Sequence, residues 1–149
     1  MSMNHDELVR VVAPCGLDCG RCLSNPQSPI SGLSRDLRGQ LGGFAALAGR
    51  FAGMDPVFAN YDGFADVLDR LADAGCTGCR SGQCLLSSCK VGACVAERGV
   101  DWCFQCAQFP CQDTGLPPLL LNRWKMNNER MRDVGPEAYF AAMRKEPRY

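Results

Sequence analysis

Eleven cysteines are the residues of this 149-residue chain whose type and spacing could do chemistry. Two residues between a pair of cysteines allow a tight turn that points both sulfurs at one ion, while backbone amides donate hydrogen bonds to the thiolates. Three such pairs and five further cysteines predict a metal site in which all eleven are candidate ligands. They fall into three runs: Cys15-x3-Cys19-x2-Cys22, then Cys76-x2-Cys79-x4-Cys84-x4-Cys89-x4-Cys94, and Cys103-x2-Cys106-x4-Cys111.

Four sulfurs complete a tetrahedral zinc site, so the cysteine count predicts two zinc ions with three cysteines to spare. Spacing alone does not fix the pairing. One partition joins the N-terminal trio to one cysteine of the later region and closes a second site from the pairs Cys76/Cys79 and Cys103/Cys106. His5, the only histidine in the sequence, is interpreted as a frayed N-terminal residue in solvent, with a role as a ligand or beside a ligand as the alternatives.

Thiolates suit both zinc and iron–sulfur clusters, so the identity of the metal needs a separate argument. The run Cys15-x3-Cys19-x2-Cys22 has the spacing by which radical S-adenosylmethionine enzymes hold three irons of a [4Fe–4S] cluster. This chain has neither the length nor the repeated strand–helix pattern of their barrel. Ferredoxin-like runs need Cys-x2-Cys-x2-Cys or a close variant, whereas x4 gaps dominate here. Zinc is therefore the predicted metal, and a [4Fe–4S] cluster is the alternative.

The charge balance argues against a polyanionic partner. Sixteen Lys and Arg residues balance sixteen Asp and Glu residues, so no net field steers the chain onto a phosphate backbone or an anionic membrane. The N-terminal segment MSMNHDELVRVV carries acids where a secretory signal carries positive charge, and no stretch approaches the roughly 20 apolar residues of a membrane span. We therefore expect a cytoplasmic protein without a nucleic-acid or membrane partner, in a compartment where clustered thiols bind metal rather than form disulfides.

The segments that must position the cysteines are predicted to be helical. Apolar residues of the insert 33–75 recur at helical spacing from Leu33 to Phe51, with Ser34 as a plausible N-cap and Gly53 as a plausible end. A second helix is predicted from about residue 62 to residue 74, where it leads directly into Cys76.

The remaining segments follow from turn residues and prolines. Residues 76–111 show neither helical nor strand periodicity for long, which indicates loops wrapped around ligands, with one or two helical turns at 94–99. Pro117 and Pro118 are suited to open a third helix, and Pro136 to open a fourth. The predicted fold class is mainly α, with helices packed around an irregular cysteine-rich metal-binding segment and little or no sheet. The predicted organisation is one domain, 1–149, comprising an N-terminal cysteine loop (13–22), a helical insert (33–75), a cysteine-rich region (76–111) and a helical tail (117–149).

Three stretches of the sequence resemble a known family. PCGLDCGRC, CTGCR and CKVGACVAERGVDWCFQCAQFPC together are similar to a small cysteine-rich bacterial and archaeal family catalogued as domain of unknown function 3795. The resemblance spans about residues 13–111 and departs at Cys84, which many relatives place closer to the following cysteine. It implies a metal-binding protein, with zinc the suspected ion, and it implies no activity.

Enzyme classes lose support on the same residues. A single histidine cannot build a Ser-His-acid set, and no glycine-rich phosphate loop is present. An all-thiolate zinc site is usually closed and poor at acidifying water, so catalysis is not predicted. The predicted function is a structural zinc-binding module that serves as an interaction or accessory protein for an unidentified protein partner. The alternatives are an iron–sulfur electron-transfer protein and a thiol-based redox sensor, in which Arg21 or Arg80 would lower the pKa of a neighbouring thiol.

Overall fold

The computed structural model describes residues 3–82 and 84–149; residues 1, 2 and 83 of the predicted domain 1–149 lie outside this description. Within the described ranges there are seven α-helices and no strand, and one isolated bridge joins Val12 and Asp18. The predicted mainly α fold with little or no sheet is confirmed. The helices are α1 (His5–Val11), α2 (Pro29–Leu41), α3 (Ala48–Ala52), α4 (Tyr61–Ala72), α5 (Val91–Arg98), α6 (Pro118–Val134) and α7 (Pro136–Met143).

The chain forms two compact units. The cysteine-rich unit contains the chain up to Gly20 and again from Cys76 onward, and the insert is Arg21–Gly75. The cysteine-rich unit contains α1, α5, α6 and α7, whereas α2, α3 and α4 belong to the insert. Wherever the structure describes these two units, no helix combines the length and the apolar character needed to cross a bilayer.

The core of the cysteine-rich unit consists of two clusters. In the first cluster, Leu8 and Val12 of α1 pack with Trp102, Met131 and Tyr139. Full burial of an apolar side chain of this size contributes about 1.5–3 kcal/mol, so this cluster is the main apolar attachment of α1. The second cluster contains a cysteine among its apolar members: Val91, Val95, Cys103 and Trp124.

Prolines and a glycine set the limits of the two C-terminal helices, as the sequence predicts. Pro118 occupies the first turn of α6, and Pro136 occupies the first turn of α7. Gly135 separates them with φ of +84°, a backbone angle that suits glycine. The buried face of α6 consists of residues spaced by four and three: Trp124, Asn128 and Met131.

The insert differs from prediction at its first helix and agrees at its second. α2 begins at Pro29, because Ser28 Oγ accepts a hydrogen bond from Ser31 N at 3.2 Å and Pro29 fits the first turn. It ends before Gly42, whose φ is +49°, so the predicted continuous helix from Ser34 to Gly53 was wrong. α4 matches its predicted range to within two residues at each end.

The insert has its own packing between α2 and α4. Ser31 Oγ donates to the carbonyl of Ala72 at 3.3 Å, and Arg38 binds both carboxylate oxygens of Asp73 at 2.8 and 2.9 Å. This ion pair is exposed to solvent, so it contributes little to stability. Aromatic rings with centroids 4.9–5.9 Å apart join the other turns of the insert: Phe44, Phe51, Phe58, Tyr61 and Phe64.

Candidate metal centre

All eleven cysteines lie among the described residues, and none of them forms a disulfide. Cys103 is buried, and the other ten are partly buried. A neighbouring thiolate raises the pKa of a thiol. The cysteines that affect one another's pKa in this way are therefore neighbours in the cysteine-rich unit. Two groups emerge from these effects.

The first thiol group consists of Cys15, Cys19, Cys79, Cys84 and Cys89. Burial raises the pKa of Cys79, and the charges of Cys84, Cys15 and Cys19 raise it further. Burial likewise raises the pKa of Cys15 to about 12, with added contributions from Cys19 and Cys89. Cys84 interacts with both Cys79 and Cys89. Burial raises the pKa of Cys89, and the charge of Cys84 raises it further. Five thiols from distant stretches of the sequence therefore influence one another within one unit.

The second thiol group consists of Cys94, Cys103, Cys106 and Cys111. Burial raises the pKa of Cys103 to about 11, the Trp124 side chain acts in the opposite direction, and the charges of the other three thiolates raise it. Four thiolates is the number that a tetrahedral zinc ion takes. This group therefore has the donor number of a closed structural site.

Short elements present the second thiol group. Cys94 lies on α5, and Cys103 begins a 3₁₀ turn that ends at Gln105. Gln105 Oε1 accepts hydrogen bonds from the backbone N–H groups of Asp101 and Trp102 at 2.8 and 3.0 Å, which fixes the entry to this turn.

The backbone of the loop at residues 14–18, which carries Cys15, is held by α6. Asn128 Nδ2 donates to the carbonyl of Pro14 at 3.3 Å, and Asn127 Nδ2 donates to the carbonyl of Cys15 at 3.3 Å. Asn128 is fully buried, and its Oδ1 also accepts from the N–H of Phe104 at 3.0 Å. One side chain thus joins the loop of Cys15 to the turn of the second thiol group.

The last helix and the residues after it hold the same loop. Tyr139 Oη donates to the carbonyl of Gly16 at 2.7 Å. Asp18 is fully buried, and its Oδ2 lies 2.8 Å from Arg144 Nε. Arg148 Nε donates to the carbonyl of Asp18 at 3.3 Å. Residues from Asn127 onward therefore hold a loop more than one hundred positions earlier in the chain.

Arg80 connects the Cys79 turn to two other segments. Its guanidinium donates to the carbonyls of Val9, Val12 and Asp101 at 2.9, 3.3 and 2.7 Å. The sequence suggested that Arg80 would lower the pKa of a neighbouring thiol, yet the pKa of Cys79 is raised, because burial is the largest influence on it. Arg80 acts here as a structural donor to backbone carbonyls.

Two predicted ligands, Cys22 and Cys76, are not assigned to either group, and His5 is the histidine for which a ligand role was only an alternative. Cys22 belongs to the insert, whereas Cys76 belongs to the cysteine-rich unit and accepts a hydrogen bond from Gly78 N at 3.4 Å. This contact is the donation from amide to sulfur that the Cys-x2-Cys spacing predicts. His5 begins α1, and its Nε2 lies 2.9 Å from Asp101 Oδ2, so it is not the frayed residue that was expected.

The grouping differs from the partition suggested by spacing. That partition joined the pair Cys76/Cys79 to the pair Cys103/Cys106. In the structure Cys79 interacts with Cys15, Cys19 and Cys84, while Cys103 interacts with Cys106 and the other members of the second thiol group.

The donor set fits a thiophilic ion in type and number. Trp124 Nε1 is buried without a hydrogen-bond partner among the described residues, yet this side chain lowers the pKa of Cys103. An indole N–H beside a sulfur can donate the hydrogen bond that a metal-bound thiolate accepts. Among residues 3–82 and 84–149, no three Cys, His, Asp or Glu side chains are arranged closely enough to hold an ion.

One comparison with known proteins gives a match. The model of a family described as "Protein of unknown function (DUF3795)" matches residues 11–115. No curated protein and no solved structure matches the chain. The matched range includes all eleven cysteines and ends before α6, so the side chains of α6 and α7 that hold the loop of Cys15 lie beyond it.

Proposed function

The chain belongs to the DUF3795 family, and from the chemistry of its thiols we propose that it is a zinc-binding protein in which two ions hold the cysteine-rich unit folded. The second thiol group supplies four thiolates to one ion. Four of the five thiols of the first thiol group bind the other. The metal is structural in this proposal.

The observation that supports the proposal most is the grouping of nine thiols in one unit of the chain. Burial raises the pKa of Cys15 to about 12 and that of Cys103 to about 11, so both thiols are protonated at neutral pH when no cation is bound. A zinc ion displaces such protons and converts its binding free energy into folding free energy. Buried thiols side by side are thus better explained as ligands of a cation than as apolar packing.

The chain's own residues prepare the thiols for an ion. Asn128 holds the loop of Cys15 and the turn of Cys103 with opposite ends of one amide. Trp124 provides a buried N–H beside Cys103. An all-thiolate zinc site is closed and does not activate water, which is why the proposal contains no catalytic step.

The biological role we propose is that of an interaction or accessory module in the cytoplasm. Eleven cysteines without a disulfide are expected to persist only in a reducing compartment. The insert exposes large apolar side chains that suit contact with a protein partner. Their exposed fractions are 68% for Leu33, 74% for Met54, 61% for Val57 and 59% for Val67.

An iron–sulfur protein is the second candidate, because four thiolates are equally the ligand set of a [4Fe–4S] cluster. A redox sensor is the third candidate, favoured by the fifth thiol of the first thiol group. In that group Cys84 interacts with two other cysteines, and after a metal leaves, a peroxide could oxidise Cys84 and one of them to a disulfide, with the two thiol protons and two electrons reducing the peroxide to water.

Metal analysis of protein purified without oxygen tests the proposal. We expect a colourless protein with two zinc ions per chain. Because the first thiol group has one thiol to spare, two of its thiols must be removed to abolish its site. The variant Cys79→Ser/Cys84→Ser and the variant Cys106→Ser should each bind one ion, and the variant that combines all three changes should bind none, so the first two variants control for each other. A brown protein that absorbs at about 400 nm would indicate an iron–sulfur cluster instead of zinc. A protein free of metal after purification and after incubation with zinc would refute metal binding altogether.

A further inference from the structure

The contacts from α6, α7 and the following residues form a series along the loop at residues 14–18. The carbonyls of Pro14, Cys15, Gly16 and Asp18 each accept a hydrogen bond from a side chain of Asn128, Asn127, Tyr139 and Arg148, respectively. The remaining carbonyl, that of Leu17, accepts from Ala13 N at 2.9 Å, and a bridge joins Val12 to Asp18. Side chains from the C-terminal helices therefore hold this loop together with its own backbone hydrogen bonds.

Asp18 adds an ionic contact to the series. Its carboxylate is fully buried and lies 2.8 Å from Arg144 Nε and 3.3 Å from an Nη of the same guanidinium. The guanidinium also stacks on Phe140, with its carbon 4.8 Å from the ring centroid. A buried carboxylate that loses its cation is strongly unfavourable, so Asp18 stays where Arg144 places it.

The loop has little freedom to shift along α6. Gly16 has φ of +83°, and a Cβ at this position would lie 2.4 Å from Asn127 Cβ. Only glycine fits such a close approach with a left-handed backbone. A movement of the Asp18 end of the loop would consequently change the direction of the Cys15 and Cys19 side chains instead of sliding the whole segment.

We propose that Arg144, acting through Asp18, is a positioning residue that sets the sulfurs of Cys15 and Cys19 for the ion of the first thiol group. The C-terminal helices then contribute to this metal centre, although they lie outside the residues that the family model matches. This inference rests on the proposed zinc binding. It adds that the two thiol groups depend differently on the C-terminal helices.

The test compares Arg144→Met with wild type in the full-length protein. Each thiol group is isolated by removing the other, with Cys106→Ser leaving the first group and Cys79→Ser/Cys84→Ser leaving the second. We expect zinc affinity, measured by competition with a chromogenic chelator, to fall about 10- to 100-fold at the first group, as for other residues that orient a ligand. Affinity at the second group should stay within about threefold of wild type, and Arg144→Lys should restore some of the affinity lost at the first.

A second readout does not depend on measuring affinity. Alkylation of the zinc-loaded protein, followed by mass spectrometry, should show faster labelling of Cys15 and Cys19 in Arg144→Met and unchanged labelling of Cys103. Arg132→Met is the matched control, because Arg132 is 53% exposed and pairs with its neighbour Asp133 at 3.3 Å. If Arg144→Met fails to fold, Tyr139→Phe removes only the hydrogen bond to Gly16 and should weaken the first group alone.

Each outcome supports or overturns the inference. Equal weakening of both groups would assign Arg144 a general structural role and overturn it. Unchanged affinity and unchanged labelling in Arg144→Met would overturn it as well. In that case the proposed function would stand as long as the wild-type protein binds two ions. A wild-type protein that binds no ion would instead reject the proposed function, and with it this inference.

Discussion

Replacing Gly115 with alanine should destabilise the cysteine-rich unit far more than the same change at Gly99. Both glycines have left-handed backbones, with φ of +67° and +65°. A Cβ at Gly115 would lie 1.7 Å from the carbonyl oxygen of Ser88, whereas a Cβ at Gly99 meets nothing within 4 Å. The pair therefore separates the effect of the backbone angle from the effect of close contact.

The magnitudes follow from these two environments. Gly99→Ala costs only the left-handed conformation of an L-residue, about 1–2 kcal/mol. Gly115→Ala has the same penalty and must also move its backbone segment and that of Ser88 apart by roughly 2 Å to reach ordinary contact distances. This displacement strains the packing by about 1–3 kcal/mol and breaks the hydrogen bond from Lys90 N to the carbonyl of Thr114, worth about 0.5–1.5 kcal/mol. That bond is 2.9 Å long in the structure.

Thermal unfolding followed by far-UV circular dichroism measures the difference. For a chain of this size each kcal/mol shifts Tm by about 2–4 °C, so we expect Gly115→Ala to melt about 3–18 °C below Gly99→Ala. Alkylation of Cys89 should also be faster in Gly115→Ala, because Ser88 directly precedes this cysteine. Equal Tm values for the two variants, within about 2 °C, would refute the close approach of Gly115 and Ser88.

Three further predictions concern single features of the two units. Asn128→Ala leaves the carbonyl of Pro14 and the N–H of Phe104 without their partner and should lower the free energy of unfolding by about 2–4 kcal/mol in urea titrations; a loss below about 1 kcal/mol would contradict the bridging role. Ser28→Ala removes the N-cap of α2 and should cost about 1 kcal/mol without changing the zinc content, since the cap lies in the insert. A chelator should unfold residues 76–111, whose loops bury little apolar surface, and leave the helices of the insert formed; an unchanged circular dichroism spectrum and Tm would count against structural metal.

The sequence predicts most helices where a proline or an apolar stripe marks them. α4, α6 and α7 appear close to their predicted positions, because periodicity and first-turn prolines act locally. α1 was missed although its signal is present, since Asn4 caps the helix and Glu7 returns a hydrogen bond to Asn4 N at 2.8 Å. The prediction places the start of α2 too late, because the turn-like residues before Ser34 supply the cap and the first turn of this helix.

The sequence predicts which residues form the candidate site and which chemistry they suit, and that chemistry stays a prediction; their arrangement does not follow from the sequence. Cysteine type and spacing indicate a thiolate site without any knowledge of the fold. The association of Cys79 with Cys15, and of Cys103 with Cys111, depends on how distant segments pack, which spacing does not encode. The contact between Asp18 and Arg144 has the same origin, since these residues are 126 positions apart and neither lies in a recognisable motif.

The junction of Ser31 with Ala72 affects the order of events during folding. This hydrogen bond and that of Arg35 to the same carbonyl bring the two ends of the insert together. A cation that joins Cys19 to Cys79 must close the whole intervening chain, and the entropy lost in closing a loop grows with its length. An insert that folds first shortens that loop beforehand. If the proposed ion binds Cys15 and Cys19, early folding of the insert would limit the time for which these two cysteines, synthesised before their partners, remain uncoordinated and open to oxidation.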